Sequence, residues 1–202
     1  MYTLYDFLPS GNGYKIRLLL SQLDLPYRYV EKDILNGETQ TEEFLKLNAN
    51  GRIPLLQLEN EECLAESNAI LMYLAENTPF LPEDRLTKAR VLQWLFFEQY
   101  SHEPNIAVVR FWTTHGGPTV AQKAQLDAKL AAGYSALSVM EKQLQKTDFL
   151  IGSSYTVADI ALYAYTHVAH EGGFDLSEYP AVSSWLQRIK SQPKHTLITD
   201  EK

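Results

Sequence analysis

At 202 residues, with 45% apolar and 21% charged residues, the chain has the composition of an ordinary soluble globular protein of one or two domains. Its net charge of −7 argues against nucleic acid as a partner, and its single cysteine excludes an intramolecular disulfide and fits a reducing cytosol. No run approaches the ~20 apolar residues of a membrane span, and the N-terminus lacks the basic and apolar regions of a secretory leader, so a cytoplasmic location is expected.

The charge is uneven. Residues 1–78 carry 6 Lys and Arg against 12 Asp and Glu, and residues 79–202 carry 12 against 13. The first stretch, Tyr2 to Phe7, reads as a strand. Pro9-Ser10-Gly11-Asn12-Gly13 is dense in turn formers. Ile16, Leu19, Leu20 and Leu23 then recur at i, i+3, i+4 and i+7, the pattern of an amphipathic helix, which Asp24-Leu25-Pro26 ends. Tyr27 to Lys32 alternates as a second strand. Strand, helix, strand in that order implies a parallel crossover. Asn36 to Thr41 reads as polar loop, and Glu43 to Leu47 as a short helix closed near Asn48.

The next stretch, GRIPLLQLENEECLAESNAI (residues 51–70), is the most informative. Pro54 cannot donate to a sheet ladder, so it belongs at a strand's first residue, an edge or a turn. Leu55, Leu56 and Leu58 form a short apolar run, and a second short strand follows around Cys63 and Leu64. Asn60 and Glu61 mark the hairpin tip between them. Glu66-Ser67-Asn68 opens a helix carrying Ile70, Leu71 and Leu74, whose unpaired N–H groups attract a carboxylate. Taken singly, these features are an ordinary X-Pro bond and an ordinary cap. Together they suit one ligand shape. The backbone of Ile53 can pair with an extended peptide. Glu66 offers a carboxylate to an ammonium, and Ser67 a hydroxyl and N–H to a carboxylate. Glutathione has that shape.

Thr78 to Arg85 holds two prolines and reads as a linker. The remainder reads as helical. A long apolar stripe runs from Leu86 to about His115; Pro104 inside it should kink or break it, and Gly116-Gly117-Pro118 stops it. Val120 to about Lys146 is a second long helix. Thr156-Val157-Ala158-Asp159 is a capping-box variant opening a helix through Ala169, and Pro180 starts a last helix to about Ser191. Residues 192–202 are polar and expected to be loose.

The element order of the first eighty residues is the thioredoxin-like arrangement. With the Ser10 turn, NANGRIP (48–54) and ESNAI (66–70), the whole chain resembles the cytosolic glutathione S-transferase family, in its serine-type theta-like and delta-like classes or their bacterial relatives. The resemblance implies a thioredoxin-like α/β domain over residues 1–78, a linker at 79–85 and an all-α helical domain over 86–202. It also implies a detoxification enzyme, a two-fold homodimer, and glutathione as co-substrate with a small hydrophobic electrophile as partner. Gly152, Thr156 and Asp159 resemble the family's helical-domain folding signature, a structural device.

Ser10 then matches the family's activating hydroxyl. A free thiol of pKa about 8.5 is about 3% thiolate at pH 7. Lowering that pKa by two units takes ~2.7 kcal/mol. A hydroxyl donated to a charged sulfur contributes roughly 1.5–3 kcal/mol and a helix N-terminus roughly 0.3–1. The two suffice, with Ser10 as donor and not nucleophile. Asn12, two residues on, resembles the helper asparagine of bacterial relatives. Ser10 ranks above both Asn12 and the rival donor Tyr5, which sits inside the strand, and Tyr14, in the first helical turn, ranks low. By match to the motif, Ile53, Glu66 and Ser67 bind the tripeptide, with Arg52, and Gln40 or Thr39, toward its glycine carboxylate. No cysteine occupies the turn, which excludes thiol exchange through an enzyme cysteine there; Cys63 reads as a core residue. No metal is expected: His167 and His170 lie at i, i+3 without a third ligand. The second substrate is expected among Phe7, Leu8, Tyr100, His102, Phe111, Trp112 and Tyr165. Two rivals stay open: a glutathione-dependent disulfide or peroxide reductase, and a module that binds glutathione without turnover.

Overall fold

The computed structural model describes residues 1–200. The chain divides into two compact units, one formed by Met1–Glu76 with the segment from Pro193 onward, the other by Asn77–Gln192.

The first unit is built on a four-stranded sheet. Strands β1 (Tyr2–Asp6) and β2 (Tyr27–Glu31) are parallel, Tyr2 facing Tyr27. Strand β3 (Leu55–Gln57) runs antiparallel to β1, and β4 (Cys63–Ala65) antiparallel to β3, giving the order β2-β1-β3-β4. Three helices complete it: α1 (Gly11–Gln22), α2 (Glu42–Leu47, preceded by a 3-10 turn at Glu38–Gln40) and α3 (Ser67–Ala75). This is the expected thioredoxin-like layout. Leu4, Ile16, Leu19, Leu20, Leu55, Leu56, Ile70 and Leu71 are fully buried and fill the space between sheet and helices. The Ile53–Pro54 bond is cis.

Two features depart from the sequence reading. Gly11, Asn12 and Gly13 are not turn residues; they form the first turn of α1, with Ser10 as its cap accepting from the Gly13 N–H at 3.4 Å. Gly13 is required by close approach: a Cβ there would lie 1.6 Å from Asp6 Oδ1. The second departure is the C-terminal segment, expected to be loose over 192–202: its described residues are tied along α1, and 201 and 202 lie outside the described residues. Tyr14 donates its hydroxyl to the Thr196 carbonyl at 2.7 Å, Arg17 Nη1 donates to the carbonyls of Ile198 and Asp200 at 3.0 and 3.3 Å, and Ser21 Oγ donates to that of Lys194 at 2.9 Å. The contacts recur at i, i+3, i+7, one face of a helix. Tyr14→Phe removes one of these bonds, so it should cost about 1 kcal/mol and speed amide exchange across residues 194–200. Equilibrium unfolding and hydrogen exchange check both.

The second unit is helical apart from two isolated bridges, Phe149 with Gly152 and Ile151 with Ser154. Helix α4 (Arg85–Phe97) is capped by Asp84, which accepts from the Thr87 N–H at 2.8 Å. One π-helical turn, Glu98–His102, leads into α5 (Glu103–Thr114). This is how Pro104 breaks the long apolar stripe: the wider turn precedes it and the proline falls in the first turn of the new helix, where its missing N–H costs little. Helix α6 (Val120–Leu144) starts at a capping box of Thr119 and Gln122 that the sequence reading passed over. Helix α7 (Val157–Thr166) is buried on every side and carries the anticipated Thr156–Asp159 box; it ends at Thr166, and a separate 3-10 turn spans Ala169–Gly172. Helix α8 (Pro180–Lys190) closes the unit. No helix among the described residues is long and apolar enough to cross a membrane.

Candidate functional site

Ser10, Asn12, Ile53, Glu66 and Ser67 all belong to the first unit. Ser10 sits in extended conformation between β1 and α1, its N–H donating to the Phe7 carbonyl at 2.7 Å. Its Oγ uses a lone pair on Gly13, so its own hydrogen can be donated elsewhere. The hydroxyl thus stands at the N-terminus of a helix of 12 residues, where partial positive charge accumulates.

Asn12 and Ser67, distant in sequence, are in contact. Ser67 Oγ donates to Asn12 Oδ1 at 3.2 Å. Beneath both lies Lys15, with no exposed surface, donating to Asn12 Oδ1 at 2.8 Å and to Ser67 Oγ at 3.1 Å. The sequence reading overlooked Lys15. A signal was present: Lys15 is four residues before Leu19 and so shares the buried face of α1.

Glu66 occupies a strained backbone position, φ 69° and ψ 112°, rare for a residue with a side chain. Its carbonyl accepts from Ile70 and so begins α3, while its carboxylate makes no capping bond and is exposed. Ser67 is the first residue of α3 and is buried. Ile53 lies beyond both ladders of β3, whose pairing begins at Leu55. The turn before it is braced twice. Asn48 Nδ2 donates to the Arg52 carbonyl and Gln40 Nε2 to the Gly51 carbonyl, each at 2.8 Å. Gly51 is at φ 60°, and a Cβ there would lie 2.6 Å from Gln40 Nε2 and 3.0 Å from the Thr39 carbonyl oxygen, so a side chain fits neither by conformation nor by space. The Arg52 side chain is exposed.

The rival residues are engaged elsewhere. Tyr5 donates its hydroxyl to Gln57 at 3.3 Å and packs edge-on against Phe44. Tyr14 is fully buried against the C-terminal segment. Cys63 is partly exposed on β4 rather than a core residue, and burial pushes its thiol up from its ordinary value. In the second unit, His102 is buried and bonded to Thr166 at 2.9 Å, and His167 Nδ1 lies 2.8 Å from the Tyr163 carbonyl. No group of three or more His, Cys, Asp or Glu among the described residues could hold a metal ion.

Behind the Ser10 turn, Asp6 is wholly buried. Arg17 Nε donates to its Oδ2 at 3.1 Å and Arg17 Nη2 to the Leu8 carbonyl at 2.7 Å, while Asp6 Oδ1 meets no hydrogen-bond partner among the described residues. Burial outweighs the Arg17 guanidinium and raises the carboxyl to about 7. The folded protein therefore holds this proton more tightly than the unfolded chain. Stability should fall as pH rises from about 4 to about 7. Urea midpoints across that range should slope downward, and Asp6→Asn should remove this part of the slope.

Comparison with known proteins decides the family. Residues 1–76 match the family model of the glutathione S-transferase N-terminal domain and residues 94–193 that of its C-terminal domain. The Disulfide-bond oxidoreductase YfcG of Escherichia coli is 34% identical over 200 residues, covering 96% of this chain and 92% of that protein. The chain belongs to the glutathione S-transferase family. Among solved structures, a glutathione S-transferase from Pseudomonas fluorescens superposes with a TM-score of 0.96 at 53% identity, covering 98% of this chain and 99% of that one. A glutathione transferase from Burkholderia graminis, with two glutathione molecules bound per subunit, gives 0.83 at 26% identity over 96% and 85% of the two chains. The family resemblance read from NANGRIP and ESNAI, and the two-part glutathione S-transferase architecture it implied, are both borne out.

Proposed function

We propose that this glutathione S-transferase-family protein binds glutathione in its first unit, holds the sulfur as thiolate with Ser10 and Asn12, and conjugates it to a small hydrophobic electrophile. The observation that carries this reading is the contact between Asn12, in the first turn of the helix that Ser10 caps, and Ser67 at the start of α3, in the same unit as the braced turn before Ile53. In this reading the Ile53 backbone pairs with the cysteinyl stretch of the tripeptide. The backbone N–H of Ser67, at the N-terminus of α3, takes the γ-glutamyl carboxylate, and the exposed Glu66 takes its ammonium. Arg52 and Gln40 serve the glycine end, Arg52 by charge and Gln40 by fixing the Gly51 carbonyl. The chemistry is then simple. The thiol proton leaves to water, and Ser10 donates its hydrogen bond to the sulfur anion. That anion attacks carbon, forming a thioether and expelling the leaving group. The binding of glutathione by the Burkholderia graminis relative supports the choice of ligand.

A second reading has an observation in its favour. The E. coli relative is named a disulfide-bond oxidoreductase. The same thiolate can attack a disulfide sulfur, giving a mixed disulfide with glutathione and releasing the other thiol; a second glutathione then resolves it to oxidised glutathione. No enzyme cysteine is required, in keeping with a Ser10 turn that has none. Parallel assays with a chloroaromatic acceptor and a small mixed disulfide separate the readings. Conjugation predicts the larger kcat/KM on the chloroaromatic; a preference for the disulfide by tenfold or more favours reduction. Retention on immobilised glutathione with neither activity would leave a binding module. We also propose, from the family, a cytoplasmic two-fold homodimer.

Glu66→Ala should raise the Kd for glutathione by roughly 10-fold or more, as expected for loss of a hydrogen bond to a charged group, and Ser67→Ala, which keeps the backbone N–H, by less. Calorimetric titration measures this, and an unchanged Kd in Glu66→Ala would remove Glu66 from the site.

A further inference from the structure

The polar cluster under the proposed sulfur position has an internal logic that belongs to none of the roles above. An asparagine amide can present either its oxygen or its NH2 to a ligand, and which one it presents depends on its other neighbours. Two donors converge on one end of the Asn12 amide: the Lys15 ammonium at 2.8 Å and the Ser67 hydroxyl at 3.2 Å. An ammonium has hydrogens and no lone pair, so the end it meets must be the oxygen. Lys15 also donates to Ser67 Oγ at 3.1 Å, which leaves the Ser67 hydrogen to point at Asn12. The three side chains therefore hold one another in a single sense of donation, and the side chain that sets this sense has no exposed surface.

We propose that Lys15 is a positioning residue. By claiming the Asn12 oxygen, it fixes the amide so that only the NH2 end can turn toward a sulfur, as a donor. By the same contacts it couples the sulfur end of the site to Ser67 at the glutamyl end. The inference rests on the glutathione reading of the site. An amide locked as donor favours thiolate over thiol. An amide released from Lys15 can rotate, offer its oxygen to the S–H, and favour the protonated form.

The test is the pKa of glutathione bound to the intact protein, read from thiolate absorbance near 240 nm in binary complexes titrated with alkali. Lys15→Met keeps the length and apolar stem of the side chain and removes the ammonium. It should raise the bound thiol pKa by about one unit, a roughly tenfold loss of thiolate preference. In an Asn12→Ala background the same substitution should move the pKa by less than about a third of a unit, because the residue it acts through is gone. Affinity for S-methylglutathione, which has no thiol to ionise, should fall less than affinity for glutathione. If Lys15→Met does not fold, Ser67→Ala supplies the second test: it removes the other donor on the Asn12 oxygen and should shift the pKa in the same direction by a smaller amount. An unchanged pKa in whichever single variant is measured, or a full shift that persists without Asn12, overturns the proposal. If the wild-type protein shows no bound glutathione, the site reading itself fails, an outcome distinct from either.

Discussion

Ser10→Ala should lower kcat/KM for glutathione-dependent turnover by roughly 10- to 100-fold while leaving the Kd for glutathione within a few-fold. The size follows from a hydrogen bond to a charged sulfur, worth roughly 1.5–3 kcal/mol. The selectivity follows from the geometry. In the proposed site the hydroxyl meets only the sulfur, whereas the assigned grip on the rest of the tripeptide comes from Ile53, Glu66 and Ser67, which lie on other elements. The loss should be greatest near neutral pH and shrink as rising pH ionises the thiol unaided. A structural effect would behave differently, because Ser10 also caps α1 by accepting from Gly13. Ser10→Gly, which costs a helix cap only a few tenths of a kcal/mol, separates the two roles. It should fold as well as wild type and be as slow as Ser10→Ala. Steady-state kinetics from pH 6 to 9, with thermal melts of both variants, tests the assignment; wild-type rates in either variant would contradict it.

Asp159→Ala should destabilise the helical unit by about 3–5 kcal/mol. Asp159 is fully buried and collects donors from three directions: the Leu150 N–H at 2.9 Å, the Thr156 N–H at 2.9 Å and the Trp185 Nε1–H at 2.9 Å. Each becomes an unsatisfied buried donor once the carboxyl is gone, at about 1–3 kcal/mol apiece. The site ties the segment before α7, the cap of α7 and the face of α8 that buries Trp185, so the loss should be cooperative. Burial raises this carboxyl to about 6 despite its donors. Its pH effect has the same sign as that of Asp6: stability present below about 4 is lost as pH rises toward about 6. Chemical denaturation of the wild type and the variant at pH 4 and pH 8 checks both the loss and its sign.

Much of this fold is legible in the sequence, and where it is not, the cause is specific. The crossover, the hairpin after Pro54 and the Thr156–Asp159 box are local devices, so their signals lie within a few residues of one another. The start of α1 was misread because Gly-Asn-Gly is turn chemistry by composition. The glycine at position 13 answers instead to a contact outside the turn: the Asp6 carboxyl occupies the space a side chain there would need. Lys15 and Arg17 were read past because charge normally marks a solvated face. Both are buried by partners that spacing along one helix does not reveal: Ser67 for the first, and Asp6 with the C-terminal segment for the second. The same long-range contacts explain why a polar tail that looked loose is bound. Of the candidate site, the residues on motif loops were accessible from sequence. The buried network that orients Asn12 was not, because it depends on two helices meeting.

In the proposed site, a hydroxyl between the first strand and the first helix holds the sulfur of glutathione as an anion. A crystal structure of the glutathione complex is the decisive experiment. It should show the sulfur within hydrogen-bonding distance of Ser10 Oγ, the cysteinyl backbone paired with Ile53, and the glutamyl end at Glu66 and Ser67. A sulfur lying away from Ser10, or a site that stays empty at millimolar glutathione, would contradict that assignment.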